Sequence, residues 1–261
     1  MFKKQKTQKG ITLVLGGGAA KGLSAIGVIE ILKENNIPIR RIIGISVGAL
    51  VGATYCTNNL NKLKKLFLSL SKWKLFKLFF SFPTLTYVCS LRKLDKILKN
   101  MFKNIKIENL KTQLITVAYD ITNEKKVVFK KGSLFNAIRA SLAAPGFFKP
   151  YKINNIKYVD GAVIQIVPVE EAKKFKEKII VVNVENIKSP SVDKWSMLGI
   201  LDKSIYAKTK ELARLNEQGA DLIIHPEISY KHFEYYKAKE IINIGRKSAL
   251  RLLPQIKKLI K

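Results

Sequence analysis

Ser46 stands between two glycines in Gly44-Ile45-Ser46-Val47-Gly48, a spacing that suits a hydroxyl carried on a sharp strand-to-helix turn. Upstream, Gly16-Gly17-Gly18-Ala19-Ala20-Lys21-Gly22 offers backbone N–H groups at a second such turn, where an anionic oxygen could be held. Downstream, Asp160-Gly161-Ala162 carries a carboxylate that could accept a proton. Nucleophile, base and amide cradle together are the parts of a serine hydrolase that works through an acyl-enzyme. Each part alone has a plainer reading. Ser46 could be a small residue in a tight turn, the glycines a βα connection, and Asp160 a turn aspartate bonded to its own backbone.

The glycine run fits neither common nucleotide loop. Gly17 to Gly22 has Walker A spacing, but Leu23 stands where that loop needs lysine. In the G-x-G-x-x-G pattern, starting at Gly16 ends on Lys21, and starting at Gly17 meets Ala19 at the third place.

These residues need strands and helices to position them. The apolar run 11–15 reads as a buried strand, and the apolar spacing over 21–33 as a helix. Residues 41–45 read as the next strand and 47–55 as the helix behind Ser46. Further strands are expected at 113–118, 179–184 and 222–224, with a hairpin placing 127–129 after Asn123-Glu124. The stretch 235–258 is helical in pattern but broken near Gly245 and Pro254. Strands alternating with helices predict an α/β fold, three layers with a mostly parallel central sheet. One domain over 1–261 is expected, with the catalytic core in about 11–173 and the rest completing it.

Composition bears on partners. Lys and Arg number 48 against 19 Asp and Glu, a net charge of +29 that attracts polyanions: nucleic acid or an anionic membrane face. A lysine-rich composition without a specific partner gives the same number. Residues 35–94 contain no acid, and within 62–82 lysines alternate with Leu63, Leu66, Phe67, Leu70, Trp73, Phe76, Phe79, Phe80 and Phe82. Such a segment suits the headgroup region of an anionic bilayer, or equally a helix whose apolar side is core. No nucleic-acid-binding motif accompanies the charge, so no nucleic acid partner is expected. Cys56 and Cys89 have no C-x-x-C spacing, and neither a metal site nor a cofactor is indicated. No run is long enough for a signal-peptide core or a membrane span, so a cytoplasmic protein is expected, peripheral at the inner membrane face if the basic segment docks there.

The order G-G-G-x-x-K-G, G-x-S-x-G and D-G-A resembles the patatin-like phospholipase family. Between the last two, Ala140-Ser141-Leu142-Ala143-Ala144-Pro145-Gly146-Phe147-Phe148-Lys149-Pro150 is similar to the family's A-S-x-A-x-P-x-x-F-x-P stretch. Ala118-Tyr119-Asp120 and Ala220-Asp221-Leu222-Ile223-Ile224-His225-Pro226 are similar as well, and the compact length is most like the small bacterial members. The resemblance implies a patatin-like fold and hydrolysis of lipid acyl esters. It implies that Ser46 is the nucleophile, Asp160 its general base without a histidine, and Gly16, Gly17, Gly18 and Ala19 the oxyanion turn. Ala19 departs from the glycine found there in many members. A Ser46–Asp160–His225 triad would follow the chain order of α/β-hydrolases, but that fold sets several strands ahead of its serine and here one precedes it. A lipid-binding protein without catalysis is the alternative from another class.

Overall fold

The computed structural model describes residues 10–79, 87–89, 91–185, 197–231 and 233–260. The basic segment 1–9, Phe80, Phe82 and His232 lie outside them. In chain order the elements begin with β1 (Ile11–Leu15), α1 (Ser24–Glu34), β2 (Ile39–Ile45), α2 (Val47–Cys56), α3 (Leu60–Leu68), α4 (Lys72–Phe79), β3 (Tyr87–Cys89) and α5 (Arg92–Phe102). Next come β4 (Gln113–Asp120), β5 (Lys125–Phe129), α6 (Leu134–Ser141), β6 (Gly146–Phe148), β7 (Tyr151–Ile153) and β8 (Ile156–Asp160). The chain closes with α7 (Val169–Ala172), β9 (Lys178–Val182), α8 (Met197–Asn216), β10 (Leu222–Ile224) and α9 (Ala238–Leu259).

The central sheet runs β10-β9-β1-β2-β4-β8-β7, with β5 also paired to β4. The five strands from β10 to β4 are parallel. Strands β5, β8 and β7 are antiparallel to their partners. A parallel strand is buried on both faces, which is why these segments read as unbroken apolar runs. Alternate residues serve opposite layers. Leu13, Leu15 and Ile42 join the core formed with α1, α2 and α9. Val14, Ile43, Ile115 and Val181 join Val169 and Ala172 of α7 and Ala213 of α8 on the other face. The fold is therefore α/β in three layers.

The carboxy-terminal helix differs from expectation. α9 runs through both Gly245 and Pro254 without a break. A Cβ at Gly245 would lie 2.0 Å from the Ser24 carbonyl oxygen, so this glycine lets α9 cross α1 at close range instead of ending the helix. The helix expected from residue 21 also begins later, behind a 3-10 turn at Ala19–Leu23.

Candidate active site

Strand pairing brings Ser46 and Asp160 together. Thr116 and Val117 of β4 pair with β2 and also with β5, so those two strands flank β4 on opposite edges. Ala118, Tyr119 and Asp120 pair with β5 and also with β8, so β8 shares the β2 edge. Ile45 pairs with Val117, and Asp160 pairs with the next residue, Ala118. Strand β2 runs parallel to β4 and β8 antiparallel, so their carboxyl ends converge head-on. Ser46 leaves one end and Asp160 closes the other.

Ser46 sits at φ 55°, ψ −130°, a conformation that L-residues rarely adopt and that costs about 1–3 kcal/mol. The strain is held by close packing. A Cβ at Gly48 would lie 2.4 Å from the Gly16 carbonyl oxygen, and one at Gly44 would lie 2.7 Å from the Ala49 backbone. The Ser46 carbonyl accepts the N–H of Leu50 at 3.1 Å and so opens α2. The Ser46 N–H is satisfied by a side chain: it donates to Ser141 Oγ at 2.9 Å, and the Ser141 hydroxyl donates to the Val117 carbonyl at 2.8 Å. Ser141 is fully buried at the end of α6, and it ties the Ser46 backbone to β4.

Asp160 is 4% exposed, and the Ser46 side chain lies near enough to its carboxyl to favour the ionised form. Its Oδ1 also accepts the Ala162 N–H at 2.9 Å, and its own N–H donates to the Ala143 carbonyl at 2.9 Å. Burial pushes the carboxyl up to about 6 from 3.8, against the lowering effect of the Ser46 side chain and the Ala162 N–H. Tyr235, buried and stacked on Phe67 at 5.3 Å, lies close enough for the Asp160 charge to add to the burial that raises its phenol.

The glycine turn lies against the elbow: a Cβ at Gly17 would be 3.5 Å from the Ser46 Cβ. Two of its four amides are engaged, which differs from the expectation for Gly16 and Gly17. The Gly16 N–H donates to the Val182 carbonyl at 3.0 Å, and the Gly17 N–H to the Ile166 carbonyl at 3.2 Å. These bonds anchor the turn to β9 and to the segment after Asp160, leaving the amides of Gly18 and Ala19 as the candidate donors. Gly18 has φ 129°, open to glycine alone, and Ala19 has φ 48° in the left-handed region.

The remaining candidates lie elsewhere. His225 follows β10 at the sheet edge with Nε2 3.1 Å from Glu217 Oε1, whereas Asp160 ends β8 on the β2 side of β4. Burial pushes the Cys56 thiol up to about 12, so it is not a ready nucleophile. Among the described residues no cluster of three His, Cys, Asp or Glu side chains could hold a metal ion, and no helix is long and apolar enough to cross a membrane.

A serine on a strand-to-helix elbow, set beside a buried aspartate in a three-layer αβα fold, defines the class of site. Residues 13–173 match the patatin-like phospholipase family, and the chain belongs to it. The neuropathy target esterase sws of Drosophila willistoni is 34% identical over 149 residues, which make up 55% of this chain and 10% of that protein. The Drosophila melanogaster protein of the same name is 33% identical over the same shares. The chain thus spans about a tenth of the length of these relatives. Among solved structures, VipD from Legionella pneumophila aligns with a TM-score of 0.53 at 14% identity, over 95% of this chain and 67% of that one. The ExoU–SpcU complex from the type III secretion system of Pseudomonas aeruginosa aligns with a TM-score of 0.50 at 13% identity, over 97% and 52%. At such identities the likeness is one of fold.

Proposed function

We propose that this chain is a serine acyl hydrolase that cleaves fatty-acyl esters of membrane lipids through the Ser46–Asp160 dyad. The observation that carries the reading is the convergence of β2 and β8, which sets the Ser46 side chain beside the buried Asp160 carboxyl, close enough to act on it. A carboxylate of ordinary pKa is a weak base toward a serine hydroxyl. At about 6, Asp160 is both ionised at neutral pH and a stronger proton acceptor. As Ser46 Oγ bonds to the ester carbonyl carbon, Asp160 takes the hydroxyl proton. The carbonyl oxygen then becomes an oxyanion facing the Gly18 and Ala19 amides, each worth about 3 kcal/mol when well aimed. Breakage of the C–O bond passes the proton to the departing alcohol and leaves an acyl-serine. Water gives its proton to Asp160, attacks the acyl carbon and releases the fatty acid with Ser46 restored.

Membership of the phospholipase family and the esterase name of the Drosophila proteins support the choice of an acyl ester as substrate. The test is a panel of phospholipid, lysophospholipid, neutral lipid and acyl thioester, assayed with the unaltered protein, Ser46→Ala and Asp160→Asn. Fatty acid release should fall by at least about a thousandfold in both variants, and a fluorophosphonate probe should label Ser46. Release that persists in Ser46→Ala would refute the mechanism. A protein that binds lipid yet neither reacts with the probe nor releases fatty acid would be the non-catalytic lipid-binding alternative.

A further inference from the structure

Helix α4 carries apolar side chains on two sides. Leu75 and Leu78 are half-buried against the main core. Trp73 and Phe76, one turn apart on another side, remain 63% and 49% exposed, with their rings stacked at 5.9 Å and nearly parallel. Large aromatics held outward on an ordered helix call for something to cover them. The residues around them are basic. Lys72, Lys74 and Lys77 of α4 and Lys62 and Lys65 of α3 are exposed, and no acid occurs anywhere in 35–94.

The patch adjoins the segment that carries Tyr235 and Tyr236. Lys72 Nζ lies 5.1 Å from the centre of the Tyr236 ring, next in the chain to the Tyr235 that senses the Asp160 charge. On the other side of this segment, exposed Phe147 packs on Phe233 at 4.5 Å. Phe147 lies in β6, which pairs with β3, the strand following α4 in the chain.

We propose that this face, built on Trp73, Phe76 and the lysines around them, docks the protein on an anionic lipid bilayer. Aromatic rings take the depth of the headgroups, while the lysines meet lipid phosphates and carboxylates. Lys77 Nζ stands 4.9 Å from the centre of the Trp73 ring, so charge and ring are already side by side. The absence of acidic residues from this stretch suits a uniformly negative surface, whereas a protein partner or a second copy of this basic chain would present mixed or like charge. The proposal deepens the acyl-hydrolase reading, because docking here would bring acyl esters to the side of the molecule where Asp160 sits.

The test separates docking from catalysis. Binding is measured by co-sedimentation of the Ser46→Ala protein with vesicles of phosphatidylcholine alone or with 30% phosphatidylglycerol, at about 0.1 M and 1 M salt, where screening lengths are about 10 and 3 Å. Binding should favour the anionic vesicles by at least about tenfold and be released by high salt. Reversing Lys72, Lys74 and Lys77 to Glu should weaken it at least about a hundredfold, at about fivefold or more for each lysine. Trp73→Ser with Phe76→Ser should weaken it about as much. With Ser46 intact, the aromatic variant should hydrolyse a soluble short-chain ester at the unaltered rate while losing turnover of vesicle lipid. Equal binding to neutral vesicles, undiminished binding by either variant, or a concentration-dependent dimer abolished by Trp73→Ser and Phe76→Ser would overturn the proposal. Failure of the intact protein to hydrolyse the soluble ester would instead count against the hydrolase reading.

Discussion

Asparagine at position 160 would keep the shape of the aspartate and remove its charge. Its side-chain oxygen can still accept the Ala162 N–H now held at 2.9 Å. The carboxylate it replaces is 4% exposed and ionises at about 6 in place of 3.8. A displacement of this size, at about 1.4 kcal/mol for each tenfold change, makes the ionised form cost the fold about 3 kcal/mol. The sign follows from linkage: the folded state holds the Asp160 proton more tightly than the unfolded chain does. Below about pH 4 both states are protonated and the cost vanishes. It grows as pH rises from about 4 to about 6, and above that it is complete. Asp160→Asn should therefore be more stable than the unaltered protein by up to about 3 kcal/mol at pH 7.5, with the advantage gone near pH 4. Urea unfolding of both proteins across that range reads the difference directly. The same group sets the acid limb of activity, with kcat/KM rising about tenfold per pH unit until it levels near 6. A stability difference that does not change with pH, or a less stable asparagine variant at pH 7.5, would refute the claim that burial raises this carboxyl.

Ser141→Ala removes the acceptor of the buried Ser46 N–H and should cost about 1–3 kcal/mol of stability. It should also lower kcat more than it raises KM, because the elbow loses its tie to β4; unchanged turnover would exclude a positioning role. Ala19→Gly relieves a side chain held at φ 48° and should raise stability by about 1 kcal/mol, read from the urea midpoint. A less stable glycine variant would mean that the left-handed turn is not strained.

The elbow, the glycine turn and the aspartate could be picked out by residue type because each depends on a steric or chemical property one residue confers. Gly48 is needed where backbone carbonyls come within 2.5 Å of a would-be Cβ, and no larger residue can stand there. The parallel strands were legible for a similar reason, since burial on both faces demands apolar runs such as Ile11–Leu15. Pairing was not legible. The short strands β6 and β7 and the antiparallel placement of β8, whose apolar end before Asp160 does read as a strand, depend on contacts between distant segments, which local pattern does not encode. Ser141 stood in a stretch that already resembled the family, yet its hydroxyl matters only because α6 ends beneath Ser46. That the Gly16 and Gly17 amides are engaged is not legible locally, because the carbonyls that use them, Val182 and Ile166, lie far along the chain. Gly245 illustrates the converse: glycine weakens a helix locally, but here the missing side chain makes room for α1.

The juxtaposition of Ser46 and Asp160 follows from the sheet. In a triad, a third group orients the base and holds the charge it acquires. Here the proposed base ends a strand whose pairing fixes its position: Asp160 sits opposite Ala118, one residue beyond the Val117 that faces Ile45. Its backbone N–H is bound to Ala143 and its carboxyl to Ala162. Because side chains alternate along a strand, a one-residue slip of β8 would turn Asp160 to the opposite face of the sheet. The A-S-x-A stretch guards against that slip at two points. Ala143 holds the backbone of Asp160, and two residues earlier Ser141 holds the backbone of Ser46. One short segment at the end of α6 therefore holds both Ser46 and Asp160 by their backbones, and burial raises the carboxyl as the proposed mechanism requires of a base without a histidine.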